Sequence, residues 1–461
     1  MKKDKIKICY IGGGSRNWAW VLMQDLAFEK DISGTIELFD IRHSDALINE
    51  AIGNRLMDAH NPGIWRFQAN PSLPDALHGS DFVFISILPG DFDDMAVDVH
   101  VPENYGIYQS VGDSAGIGGI IRSLRTVPQF RKIAKEIKKH APNAWVINYT
   151  NPMSVCTRTL YMEYPGIKAF GCCHEVFHTQ KLLATVLEES GLAPAGSIKR
   201  EDIKVNVLGL NHFTWIDKAT WKNTDIFPIY LKFAEKYADT GFRKKSDGAA
   251  INEDELERQK LFGSTDRVKM NLFRRYGLIA AAGDRHLVEF CPHSWYLSSP
   301  EEVERWGYAL TPVSWRIKDQ EALKQKAIEY RDGTQVMTPV ESGEEGLKIV
   351  KALLGLTGIT TNVNFPNVGQ MPDIPMGTIV ETNANFKKSK IEPVAVRSLP
   401  SDIRALIMHH VLSQEGIVEA VFEDDMEKVF RIFSQDLEVQ KLSLSDARSM
   451  FNEMYAKTMR K

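Results

Sequence analysis

The sequence predicts an α/β fold, a doubly wound parallel sheet of the Rossmann type followed by a second α+β domain. Three observations carry this. Residues 6–11 alternate lysine with apolar side chains, become wholly apolar, and run straight into Gly12, Gly13, Gly14 and Ser15. From residue 18 onward Val21, Leu22, Leu26 and Phe28 recur at helical spacing. Further short apolar runs follow at 35–39, 81–88, 145–147 and 167–170, with room between them for crossover helices.

Strand, glycine turn and helix form the context that a dinucleotide site requires. Glycines let the backbone approach a pyrophosphate, and the helix start offers free N–H groups to it. Gly12, Gly13, Gly14 and Ser15 are therefore candidate cofactor contacts, although Asn17 stands where the pattern asks for a third glycine. The second strand ends at Asp40. A carboxylate there accepts hydrogen bonds from the adenosine ribose and repels a 2′-phosphate, which favours NAD; the alternative is a strand-end turn or a helix cap. The run 81–88 closes on Pro89-Gly90. Residues 109–119 are polar and glycine-rich, with Asp113, Gly116, Gly118 and Gly119, and read as either a lid or a ligand cradle. A helix is predicted over 120–140, with Arg122 and Arg125 early and cations at its end, where the dipole favours them. Asn148 and Asn151 follow the next strand. They suit ribose or sugar hydroxyls, or else form an Asn-Pro turn that starts a helix.

The run 167–170 delivers Cys173, His174 and Glu175 to the carboxyl edge of the sheet, where such folds bind ligands. A helix is expected from there to about residue 188. Pro194, within 191–197, marks a linker, so the chain divides into residues 1–200 and 201–461. In the second part an apolar strand over 203–208 leads to Asn211 and His212. Cys173 and His212 are candidate ligands of one metal ion, with His174 and Glu175 beside it. Residues 230–237 look amphipathic, and 243–254 reads as a charged exposed loop. Gly283-Asp284-Arg285-His286 interrupts apolar segments and is either a site or a salt-bridged helix start. Residues 403–454 read as mostly helical and suited to packing or oligomerisation.

Bulk properties exclude several classes. A chain of 461 residues that is 43% apolar and 25% charged can bury a full core. Its net charge of −4 argues against nucleic acid or an anionic membrane as partner. Five cysteines suit free thiols in a reducing, cytoplasmic setting better than a disulfide framework. The basic start leads into a short first strand rather than a signal peptide. No apolar run approaches the roughly 20 residues that span a bilayer.

Taken in order, Ile11 to Ser15, Gly118-Gly119 with Leu124 to Pro128, Asn148 to Met153, Cys173-His174-Glu175-Val176 and Gly209 to His212 resemble glycoside hydrolase family 4. Asn364 to Gly369, Ile379 to Glu381 and the helical tail extend the likeness over nearly the whole chain. The resemblance implies a lactate/malate dehydrogenase-like fold, NAD and Mn²⁺ as cofactors, and a small-molecule substrate. His-Glu-Val after the cysteine is similar to the branch acting on α-galacturonides, such as pectin-derived oligosaccharides. The implied mechanism oxidises carbon 3 of the sugar with NAD, removes the carbon 2 proton and eliminates the glycosidic oxygen. Water then adds and the hydride returns. Cys173 and His212 would hold the metal. His174 would act as the acid or support the metal, and Asp284 or His286 would be the carbon 2 base, with Asp284 preferred. Arg285, with Arg122 competing, would pair with the uronate carboxylate. Asn151, Glu175 and Asn211 would contact the sugar, and a dimer or tetramer is expected. Other family 4 activities (α-glucuronidase, α-galactosidase), a lactate/malate-type dehydrogenase and an NAD-binding regulatory protein are the competing readings.

Overall fold

The computed structural model describes residues 5–243 and 253–459. Its first sheet is built on six parallel strands: β1 (Ile6–Ile11), β2 (Gly34–Phe39), β3 (Trp65–Ala69), β4 (Phe82–Ile85), β5 (Trp145–Asn148) and β6 (Lys168–Gly171). They lie in the order β6-β5-β4-β1-β2-β3, the doubly wound order with its reversal between β1 and β4. Alternation in these strands feeds two cores. Ile6, Ile8 and Tyr10 of β1 and Phe82 and Phe84 of β4 point to one face, with Trp20, Leu26 and Phe67. Cys9, Ile11, Val83 and Ile85 point to the other, with Phe130, Val146 and Leu160. Strands covered on both faces have no polar side to show, which is why β4 is buried throughout.

The second sheet holds β7 (Ile203–Leu210), β8 (Phe213–Trp221), β9 (Thr224–Asp225) and β10 (Ile279–Ala280), all antiparallel. The chain then returns to the first sheet. Strands β11 (Ile359–Pro366), β12 (Ile379–Lys387) and β13 (Lys390–Pro393) add antiparallel to the edge of β6, giving nine strands. Residue 200 thus lies just ahead of β7, and three strands from beyond it belong to the sheet of residues 1–200. Helices Ser401–Glu423, Met426–Phe433 and Leu444–Thr458 make up the tail. The charged loop expected over 243–254 lies largely outside the described residues, and Glu253 already opens the helix Glu253–Phe262. Among the described residues no helix is long and apolar enough to cross a membrane.

One side chain that sequence patterning did not single out holds the glycine turn. Asn49, buried on the helix His43–His60, donates to Gly13 O and Ser15 O at 2.8 Å each and accepts from Trp20 Nε1 at 2.9 Å. Asn49→Ala leaves those three buried groups unpaired and should lower the unfolding free energy by about 2–4 kcal/mol in urea denaturation. A loss under about 0.5 kcal/mol would show that water replaces the amide freely.

Candidate active site

The carboxyl edge of the parallel strands and the second sheet's turns face the same space. At the first turn, Gly12 has φ +94°, and a Cβ there would stand 1.9 Å from Ser86 O. A Cβ on Gly13 would stand 2.7 Å from that of Leu38. Only glycine permits this path. The helix Trp18–Phe28 that follows has no side-chain cap on its first N–H groups, so the turn keeps donors for an anion. Asp40 closes the turn: Oδ2 accepts from Gly14 N at 3.0 Å and Oδ1 from Arg42 N at 2.9 Å. Asn148, expected at the cofactor, is buried. Its amide donates to Thr150 O at 3.1 Å and accepts from Thr150 N at 2.9 Å, so both ends serve the local turn.

Beyond β6, Cys173, His174 and Glu175 lead into the helix Glu175–Glu189. His212 sits in the two-residue turn joining β7 to β8, where Leu210 pairs with Phe213, and has φ +64°. The glycine-rich stretch is not a free loop. Residues 116–119 are the first turn of the helix Gly116–His140. A Cβ on Gly118 would stand 2.5 Å from Gln109 Oε1, and one on Gly119 2.8 Å from Ser114 C. These glycines let residues 109–114 lie flat on the helix, and Asp113 is thereby aimed at His212. Glu289 secures the same segment by accepting from Val111 N at 2.6 Å and Gly112 N at 2.8 Å.

Three donors converge here. Asp113, His212 and His286 each offer a ligand atom within 4.8 Å of the others. The His212 and His286 rings stack at 3.8 Å, and His286 Nδ1 is buried without a partner. The Ser114 hydroxyl donates to Asp113 Oδ1 at 2.8 Å and lies 3.1 Å from His212 Nδ1. Its single proton is spent on Asp113, so His212 Nδ1 must donate to it, which leaves the Nε2 lone pair for a cation. Burial, then His286, pushes the His212 pKa down to about 3, so the ring stays neutral. Burial opposes the ionisation of Asp113, but His286, His212 and Arg122 overcome it and hold the carboxyl well below its usual range. Cys173 adjoins the set through Asn211, whose side chain reaches its sulfur. Burial, then Glu381 and Glu175, pushes the thiol well above its usual range.

Glu175 forms the second focus. Its Oε2 accepts from Gly283 N at 2.7 Å, and Oε1 lies 4.0 Å from His174 Nε2 and 3.9 Å from His178 Nδ1. Burial works against its charge, yet His286, His212, His178 and His174 together keep it ionised. His174 Nδ1 faces Glu344 Oε1 at 3.4 Å, with its ring 5.6 Å from that of Trp18. Asn211 donates to Glu381 at 3.3 Å, and Asn362 to the same carboxylate at 2.7 Å. Asn151 donates to Asp113 at 3.2 Å.

Two sequence expectations are corrected. Asp284 does not face this space: it is fully buried and accepts from Val268 N at 3.2 Å and Lys269 N at 2.9 Å, capping the helix Arg267–Tyr276. Arg285 is mostly committed to backbone, donating to Ala309 O at 3.1 Å, Ser110 O at 3.0 Å and the Thr311 hydroxyl. The salt-bridged or capped helix start, the plainer reading of Gly283 to His286, fits both. Asp113 and Glu381 were not singled out as site residues, and only the glycines beside Asp113 signalled its close packing.

Comparison with known proteins now bears on this geometry. The profile of the family 4 glycosyl hydrolases matches residues 7–189, and that of their C-terminal domain matches 207–439. The chain belongs to family 4. It is 51% identical over 455 residues to an alpha-galacturonidase of Thermoanaerobacter italicus, spanning 98% of this chain and 96% of that one. The crystal structure of lplD from Bacillus subtilis superposes with a TM-score of 0.91 at 46% identity, covering 98% of this chain and all of that one, 100%. A 6-phospho-alpha-glucosidase from gut microorganisms, solved with NAD and Mn²⁺, shares the fold at TM-score 0.80 and 18% identity, covering 99% of each chain.

Burial pushes the Asp284 carboxyl up to about 7, Asp266 adds to the rise, and Lys269 opposes it. The folded value lies above the unfolded one of ~3.9, so the stability tied to this group is complete at low pH and falls as pH rises through that window. Asp284→Ala should therefore cost about 1–2 kcal/mol near pH 5 and less near pH 8, as measured by urea denaturation. Equal losses at both would contradict the buried cap.

Proposed function

We propose that this member of family 4 hydrolyses α-galacturonides, with NAD and a divalent metal, Mn²⁺, as cofactors. The observation that carries the reading is the meeting of Asp113, His212 and His286, linked to Cys173 through Asn211, at the sheet edge that begins with the Gly12–Gly14 turn. The relative sharing half of the sequence is named alpha-galacturonidase, which supports the substrate class. The glycine turn and the uncapped helix start fit a pyrophosphate. Neutral His212 with a free Nε2 and an ionised carboxylate fit a divalent ion, with His212 and Asp113 as its ligands and Cys173, which lies outside the set that comes within 4.8 Å, as the third. When bound, NAD supplies reversible hydride removal at carbon 3, and the metal supplies Lewis acidity to the neighbouring oxygens.

The chain's own side chains do the proton work. His286 replaces Asp284 as the base: it stacks on His212, and its buried Nδ1 is unclaimed. His174 delivers a proton to the departing glycosidic oxygen, with Glu344 at its Nδ1 supporting the protonated ring. Glu175, tethered to Gly283, orients His174 and His178. Residues 1–200 chiefly hold the dinucleotide, and residues 201–461 supply the rest of the site and an oligomer interface. Five free cysteines suit a cytoplasmic enzyme.

With NAD, Mn²⁺ and a thiol reductant, p-nitrophenyl α-galacturonide should be cleaved in preference to the α-galactoside and α-glucuronide. A preference for the neutral galactoside would refute the substrate class. Cleavage in D₂O should place deuterium at carbon 2 of the released sugar. His212→Ala should abolish Mn²⁺ binding in calorimetry. His286→Gln should keep that binding while slowing carbon 2 exchange at least about 100-fold. Loss of Mn²⁺ binding in His286→Gln would make His286 a ligand rather than the base.

A further inference from the structure

The mechanism above uses the histidines and carboxylates of the site and leaves three arginines beside it unexplained. Arg122, Arg285 and Arg316 come from the helix Gly116–His140, the helix Asp284–Leu287 and the helix Val313–Asp332. Arg285 and Arg316 stand over one ring, Phe262, at 5.0 Å and 5.3 Å from its centre. Arg316 and Arg122 are near enough to disfavour each other's charge, and Asp113 draws on both. Among the described residues none of the three has a carboxylate within ion-pair distance. Their hydrogen bonds go to uncharged oxygens. Arg122 Nε donates to Asn151 O at 3.3 Å and Arg285 holds Ser110, Ala309 and Thr311. Among the described residues Arg316 has no hydrogen-bond partner, and its Nε is sealed from solvent.

Guanidinium groups crowded together in a desolvated place repel one another and lose hydration, so their assembly is costly unless an anion neutralises them. Asp113 offsets only part of this, because it is shared with His212, Ser114 and Asn151. Arg285 is spent on backbone, which leaves Arg316 and the terminal nitrogens of Arg122. A planar fork of N–H donors matches a carboxylate in shape as well as charge.

We propose that Arg316, with Arg122 opposite, receives the carbon 6 carboxylate of the sugar and sets the preference for uronides over neutral glycosides. This rests on the α-galacturonide reading given above. It transfers the specificity role from Arg285, which positions residues 110 and 309–311, to a residue on a different helix.

The test compares p-nitrophenyl α-galacturonide with its methyl ester, which keeps every atom of the ring and removes the charge. The wild-type ratio of kcat/KM, acid over ester, should exceed 1 by a wide margin. Arg316→Met should lower that ratio about 10- to 100-fold, and Arg316→Lys should restore part of it, because a lysine keeps the charge without the fork. Inhibition by free galacturonate should weaken in parallel. If the wild type favours the acid and Arg316→Met retains the full ratio, the assignment of Arg316 is overturned while the substrate class stands. If the wild type does not distinguish acid from ester, the substrate class itself fails, and Arg316 with it. Turnover of the ester by each variant reports that the protein is folded.

Discussion

Everything at this site depends on keeping Asp113 and Glu175 ionised in a place that is short of water. A buried carboxylate would ordinarily take up a proton. Here Asp113 is held by the Ser114 hydroxyl, the Asn151 amide and the nearby Arg122 guanidinium, and Glu175 by the Gly283 N–H with the imidazoles packed around it. The consequence is a pocket with two anionic points and a neutral His212 between them, the state in which an imidazole can bind a cation.

The architecture follows from that requirement. A parallel sheet buried on both faces can present polar groups only at its strand ends, so Gly12 to Gly14, Asp40 and Cys173 to Glu175 lie along one edge. None of those strand ends could supply His212. It comes from a tight turn in a second sheet, and the closing strands β11 and β12 add Glu381 and Asn362, which clamp Asn211 next to it. The strand returns from beyond residue 359 therefore tie the two sheets to one site, and the chain cannot be cut near residue 200 without losing half of it.

The fold class, most of the parallel strands and the cluster Cys173 to Glu175 were legible because strand burial and glycine placement leave a local signature in sequence. Hydrophobic runs read as strands, and Gly12 to Gly14 could mean little but a tight turn. His212 was legible for the same reason, standing at the end of a strand. Asp284 misled, because a carboxylate at a helix start looks the same whether it faces a pocket or caps a neighbouring helix, and only tertiary packing on Val268 and Lys269 decides. Asp113 was visible as part of an odd glycine-rich stretch, but its histidine partners lie nearly a hundred or more residues away, and no local pattern connects them. Arg316 sits on the long helix Val313–Asp332, which carries no apolar stripe to set one face apart. What marks it is that no carboxylate among the described residues comes within ion-pair distance of it, a property of the folded molecule alone.

The central claim is that one divalent ion sits between the two halves of this site. Crystals grown with NAD and Mn²⁺, measured at the manganese absorption edge, address it directly. The account predicts a single strong anomalous peak bonded to His212 Nε2, Asp113 and the Cys173 sulfur. A peak held instead by His174, Glu175 and His178, or none near His212, would contradict it.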